Sequence, residues 1–161
     1  MTYTYTGNDF TAAEGPYNTT DSVTGFFTYS ALPENDDGEE TFPTSYTFTD
    51  GVQTYDMGNS GIALFELWTN ATGEITGWFI DLGSGADNYM WTYDDPASTP
   101  WAQDGSQLEG PPVNGGGYIN NDPGVWTESS TLPEPSSAVL MPTALVAVAF
   151  VARRRVGRRS R

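Results

Sequence analysis

Carboxylates are the main source of reactive side chains in this sequence. Its 161 residues include 21 aspartates and glutamates, six arginines, and no lysine, histidine or cysteine. All six arginines lie between Arg153 and Arg161, so residues 1–152 carry every acid and no basic side chain. Without cysteine there is no disulfide framework and no thiolate zinc site. Without histidine the common serine and cysteine triads and the imidazole metal ligands are excluded. General bases are limited to carboxylates, tyrosine and the amino terminus.

Paired acids such as Asp94-Asp95, Asp36-Asp37 and Glu39-Glu40 resemble a glycosidase pair only in composition. Glycosidases need two carboxyls facing each other across a cleft, whereas neighbouring acids in loops are more often solvated. Glu66 and Asp81, on predicted strands, are better placed, but nothing in the sequence links them. The chain is therefore expected not to be an enzyme. Asn35 to Glu40 and Asp81 to Asn88 place hard oxygen ligands on glycine-containing loops, the chemistry of weak calcium binding. Neither has the spacing of an EF-hand, and acidic turns are the simpler reading. No other cofactor is expected. Trp68, Trp78, Trp91, Trp101 and Trp126 can stack on sugars, but in a body poor in aliphatics most are expected in the core. Trp101, in a polar stretch, is the one to test for exposure. The sequons at Asn18 and Asn70 are read as chance matches.

The elements that must position these residues read as strands. Thr2 to Thr6 alternates with period two in residues that favour a pleated sheet. Asp21 to Ser30 is a second β-rich run. Ser45 to Asp56 predicts a hairpin turning at Asp50-Gly51 in a two-residue type I′ turn. Ile62 to Thr69 and Glu74 to Leu82 predict another hairpin, joined by Asn70 to Gly73. Asn88 to Tyr93 and Gly117 to Thr127 add shorter strands. Between Asp94 and Gly117 the pattern dissolves into Pro, Gly, Ser, Asp and Gln, and either a surface loop or an unrecognised strand fits. The expected architecture is all-β: an antiparallel sheet or sandwich over residues 1–127, loop-rich from 94 to 117. A flexible linker at 128–132 and one C-terminal transmembrane helix follow.

The last 29 residues, 133–161, differ in character. Pro133-Glu134-Pro135 comes first, then the uncharged and nearly all-apolar Ala138 to Ala152, then the arginine cluster from Arg153. A helix of that apolar length reaches roughly 22 Å, short of a hydrocarbon core of about 30 Å. Arginine snorkelling or local thinning has to make up the difference. The arginines hold their end on the cytoplasmic side, which places the acidic body outside. The prolines keep Glu134 extended and out of the helix.

This order of motif, short apolar helix and arginine cluster resembles the PEP-CTERM sorting signal of exosortase substrates, which occur mainly in Gram-negative bacteria that make extracellular polysaccharide. The resemblance implies recognition by exosortase, a multi-spanning membrane protease, at Pro133, Glu134 and Pro135. It also implies a transient span at residues 138–152 and a stop-transfer cluster at Arg153, Arg154 and Arg155. The body is similar to a less-studied group of the same family through YTYTGNDFT, DSVTGFFT, YTFTDGVQT, TNATGEITGWFIDL and NDPGVWT, in that order. The family begins with a secretory leader. Here Met1 is followed at once by strand-like residues, without a basic or apolar leader region. A misassigned start, a truncated chain or export through the tail alone each fit, and a missing amino terminus is the expectation.

The expected function is that of an exported cell-surface or extracellular-matrix protein, held briefly in the bacterial inner membrane and then cleaved. Its body would have a structural or interaction role. A carbohydrate-binding module that retains the protein in exopolysaccharide is the alternative, and a carboxylate-dependent glycoside hydrolase the weaker one. So acidic a body repels nucleic-acid phosphates, which excludes them as partners. The same repulsion generates a prediction: millimolar calcium raises the melting temperature of the protein, and an unchanged melting curve removes calcium as a ligand.

Overall fold

The computed structural model describes residues 1–85, 88–96, 102–109 and 114–129. They form strands and connections with no helix. The strands are β1 (Thr2–Thr6), β2 (Ala12–Glu14), β3 (Thr24–Thr28), β4 (Asp37–Glu40), β5 (Ser45–Thr49) and β6 (Thr54–Asp56). They continue as β7 (Gly61–Thr69), β8 (Ile75–Gly83), β9 (Asn88–Asp94), β10 (Ala102–Leu108), β11 (Gly115–Asn120) and β12 (Val125–Ser129). One sheet has five strands in the order β12-β1-β3-β5-β6, the other seven in the order β2-β11-β10-β9-β8-β7-β4. All pairings are antiparallel. The proposed linker beyond Ser129, Trp101 and the whole of 133–161 lie outside the described residues.

The period-two pattern of the first sheet separates rings from hydroxyls. Tyr3 and Tyr5 of β1, Phe27 of β3, Tyr46 and Phe48 of β5 and Tyr55 of β6 are buried. Their neighbours along each strand, mostly threonines, face solvent. In the second sheet Phe65, Leu67, Trp78, Ile80, Leu82, Met90 and Ile119 point inward. The two inner faces meet in one core, where Phe27 packs edge-on to Phe65 at 5.2 Å and Tyr5 edge-on to Trp78 at 5.5 Å. Rings fill the interior that aliphatics would fill elsewhere. Gly25 is required by that filling: a Cβ there would sit 2.5 Å from the Phe48 ring.

One expectation changes and two are made specific. The two-residue turn at Asp50-Gly51 does not form. β5 ends at Thr49 and β6 starts at Thr54, and although Gly51 has φ 92, Asp50 is not in the left-handed region a type I′ turn needs at both positions. The cause is the Asp50 side chain, which turns inward and caps the connection by accepting from the Val52 and Gln53 amides at 2.9 and 2.6 Å. Second, the unpatterned stretch from 94 to 117 contains β10, paired on both sides within the larger sheet. Third, Gly117 to Thr127 divides between the two sheets, as β11 and β12. β12 also reaches Ser129, beyond the expected domain limit at 127.

Because Phe65 is fully buried at the contact between the sheets, Phe65→Ala is expected to cost about 3–5 kcal/mol of stability. Urea denaturation measures it, and a loss below about 1 kcal/mol would contradict the core described.

Candidate functional site

The acids weighed as possible catalytic pairs lie at strand edges and ends or serve the backbone. Asp36 Oδ1 accepts from the Glu39 amide at 3.0 Å, and Asp36, Asp37, Glu39 and Glu40 lie on or beside the edge strand β4. Asp94 ends β9 with Asp95 following, and burial raises the Asp94 carboxyl above the ordinary carboxylate range, with Asp95 adding repulsion. Glu66 and Asp81 do share a face, since Glu66 pairs with Phe79 and Asp81 with Leu64. That register makes them diagonal neighbours on β7 and β8. Half-burial alone raises the Asp81 carboxyl. No group of three or more metal-ligating side chains occurs among the described residues. The sorting residues Pro133, Glu134, Pro135, Arg153, Arg154 and Arg155 lie outside them.

Two acids that the sequence did not mark for the interior are fully buried, Asp50 and Asp104. Asp50 Oδ2 accepts from Tyr17 Oη at 2.8 Å, from Tyr55 Oη at 3.2 Å and from Ser106 Oγ. Asp104 accepts from Tyr5 Oη at 2.8 and 2.9 Å. Tyr5 Oη accepts in turn from the Gly124 amide at 2.6 Å. Burial pushes the Asp104 carboxyl up to about 6, while the Thr92 and Tyr5 hydroxyls and the Gly124 amide pull it down. Burial also raises Tyr5, Tyr55 and Tyr17, the last to about 12. These carboxylates spend their lone pairs on the fold and open onto no surface. They are not catalytic candidates.

The outer face of the seven-stranded sheet is different. Register aligns Glu66, Phe79, Tyr93, Gln103 and Asn120 in one row across five strands. The next row is Leu64, Asp81, Trp91, Gly105, Tyr118 and Ala12, and the third is Gly83, Tyr89, Gln107, Gly116 and Glu14. Neighbours within a row are about 4.8 Å apart and rows about 7 Å apart. The rings are fastened. Phe79 and Tyr93 stack at 5.1 Å with 11° between planes, and Tyr89 lies 5.6 Å from Trp91. Gln103 Oε1 accepts from Trp91 Nε1 at 2.8 Å and from Tyr93 Oη at 3.3 Å, and Gln103 Nε2 donates to Asn120 Oδ1 at 2.7 Å. Tyr89 Oη donates to Gln107 Oε1 at 2.5 Å.

Trp91 lies flat on the sheet. A Cβ on Gly105 would meet three indole atoms at 2.4, 2.5 and 2.9 Å, so one ring face covers the glycine and the other looks outward. Beside it, over β2, β10 and β11, runs a groove of about 1140 Å³ lined by Glu14, Trp91, Gln107, Glu109 and Tyr118. Gly115, Gly116 and Gly117 also line it, and of these Gly116 stands in the outward row, where it adds no side chain. Of the tryptophans expected in the core, Trp78 is 5 % exposed. Trp91 and Trp68 are half-buried on the outer face. The signal that could have found the platform is the alternation Tyr89, Trp91, Tyr93, once its strand is known to have its other side buried.

No family model, curated protein or solved structure matches this chain.

The Asp104 geometry generates a pH prediction. The folded chain holds the Asp104 proton more tightly than the unfolded chain, whose value is near 3.8. Its contribution to stability is full below that value and is lost as pH rises through about 6. The fall is on the order of 2–3 kcal/mol. Urea denaturation between pH 4 and 7 should show it, and Asp104→Asn should flatten it. An equally steep fall in Asp104→Asn would assign the effect to other groups.

Proposed function

We propose that this protein is exported by a Gram-negative-type bacterium and sorted through its C-terminal tail to the cell surface or extracellular matrix, where its sandwich is a non-catalytic interaction module. The observation that carries the reading is the ordered set of Pro133-Glu134-Pro135, the apolar run from Ala138 to Ala152 and the cluster from Arg153 at the end of an otherwise cation-free chain. In this reading the apolar run is a single-pass span of the inner membrane, oriented by the arginines. An exosortase-type membrane protease grips the extended motif and releases the body. The short span suits a segment that is held only until processing.

The body supports an interaction role because its deepest acids, Asp50 and Asp104, are occupied by structural hydroxyls. Retention in extracellular polysaccharide is the second reading, favoured by the fastened aromatic rows on the outer sheet face. A glycoside hydrolase acting through Glu66 and Asp81 is the third.

Intact mass spectrometry of the native protein from envelope and supernatant fractions tests the sorting. A mass ending near Pro135 is expected, and Glu134→Ala together with Pro135→Ala should leave the chain uncleaved. A full-length mass found only in membranes would overturn cleavage and make the tail a permanent anchor.

A further inference from the structure

We propose that the outer face of the seven-stranded sheet is a binding site for an uncharged polysaccharide chain, which stacks on Trp91 and the neighbouring rings Tyr89, Tyr93 and Tyr118. The inference rests on the reading that the body meets extracellular polysaccharide, and adds the site and the charge class of the ligand.

Three observations converge. The first is the shape of the aromatic surface. Trp91 lies flat with one face on Gly105, and Tyr118, opposite Gly105 on the next strand, is 44 % exposed. A pyranose presents C–H bonds of slight positive charge on its flat face, and these fit the negative face of an aromatic ring. From β8 to β11 the platform spans three strand spacings, about 14 Å. That suits an extended chain of several sugar units rather than a single compact ligand.

The second is preorganisation. The Gln103 amide holds Trp91, Tyr93 and Asn120, and Gln107 holds Tyr89. Rings already fixed in place lose little freedom when a ligand stacks on them. Rings that merely fill a sheet surface need no such bonds. Here the amide oxygens of two glutamines go to fixing three half-buried rings on the outer face.

The third is charge. Residues 1–152 have no basic side chain, and Glu14, Glu66 and Asp81 lie in the same rows as the rings. Such a surface repels phosphate, sulfate and uronate groups. What it offers is acceptors: three carboxylates, the tyrosine oxygens and the Asn120 amide. An uncharged glycan brings hydroxyls that can donate to these acceptors and flat C–H faces for the rings, and it meets both. The other outer face, on the five-stranded sheet, is built mainly of threonines and offers one ring, Phe26, at 39 % exposure.

The test uses the purified full chain in mild detergent. It is incubated with insoluble cellulose, chitin and curdlan and with soluble glucomannan and xyloglucan, with alginate and hyaluronan as anionic counterparts. Binding to at least one uncharged glycan is expected, with protection of tryptophan fluorescence from acrylamide. Trp91→Ala should weaken that binding at least tenfold and Tyr118→Ala about threefold, with Phe26→Ala unchanged. Tyr118 is exposed, so its variant remains informative if Trp91→Ala fails to fold. The proposal is overturned by no binding to any uncharged glycan, or by binding confined to the anionic pair. Equal losses in Phe26→Ala would also overturn it, as would Trp91→Ala and Tyr118→Ala altering oligomeric mass without altering glycan binding. Release of new reducing ends, lost in Asp81→Asn, would replace binding with hydrolysis. Processing at the tail plays no part in these measurements, so failed sorting and failed glycan binding are separable.

Discussion

Two carboxylates with no charged partner tie the sheets together. Asp50, at the turn between β5 and β6, reaches Ser106 on β10 of the opposite sheet, and Tyr17 joins both, its hydroxyl 2.9 Å from Ser106 Oγ. Asp104, two residues earlier on β10, takes the Tyr5 hydroxyl from β1 of the other sheet. Removing a carboxylate from water is costly unless its lone pairs are met, so each of these contacts is needed once the acid is inside. The hydroxyls are correctly placed in only one alignment of the two sheets. A shift of β10 by one residue would turn Asp104 and Ser106 to the outside. The space is equally tight: a Cβ on Gly7 would lie 2.6 Å from Asp104 Oδ2. This polar pair specifies how the sheets face each other, while the rings around it supply the burial that stabilises them.

The same strands serve two surfaces. Along β9, Met90 and Thr92 face the core, and Tyr89, Trp91 and Tyr93 face outward. Along β10, Asp104 and Ser106 face in, and Gln103 and Gln107 face out, where they bind the rings of β9. One short segment of chain therefore anchors the sandwich on one side and orders the aromatic platform on the other. A platform set on a packed sheet is held more precisely than one set on loops.

Charge separates the candidate partners. A body without basic side chains is a poor surface for nucleic acid or anionic lipid. That charge agrees with the uncharged glycan proposed as its ligand. In the proposed sorting, the arginines of the tail would orient a membrane segment through the positive-inside preference. Under these proposals the acidic body and the basic tail have separate electrostatic tasks.

Strand character was legible in the sequence wherever one face of a strand is apolar. Thr2 to Thr6, Ser45 to Thr49, Ile62 to Thr69 and Asn88 to Tyr93 announce themselves by alternation or by bulky β-formers, and all are strands. The absence of histidine, cysteine and lysine removed whole classes of chemistry before any fold was considered. β10 was hidden because its inward residues are Asp104 and Ser106, which read as loop chemistry in a one-dimensional pattern. They become core only when Tyr5, Tyr17 and Asp50 arrive from distant parts of the chain to satisfy them. The Asp50-Gly51 turn was misread for the same reason, since a buried acceptor for Tyr17 and Ser106 outweighed the local preference for a two-residue turn. Likewise the outward alternation of Tyr89, Trp91 and Tyr93 along β9 became a surface only when β8 and β10 fixed which side was in. The sequence determined residue chemistry and local strand preference. Tertiary structure decided which polar groups find partners, because burial of a polar group is settled by contacts between residues far apart in the chain.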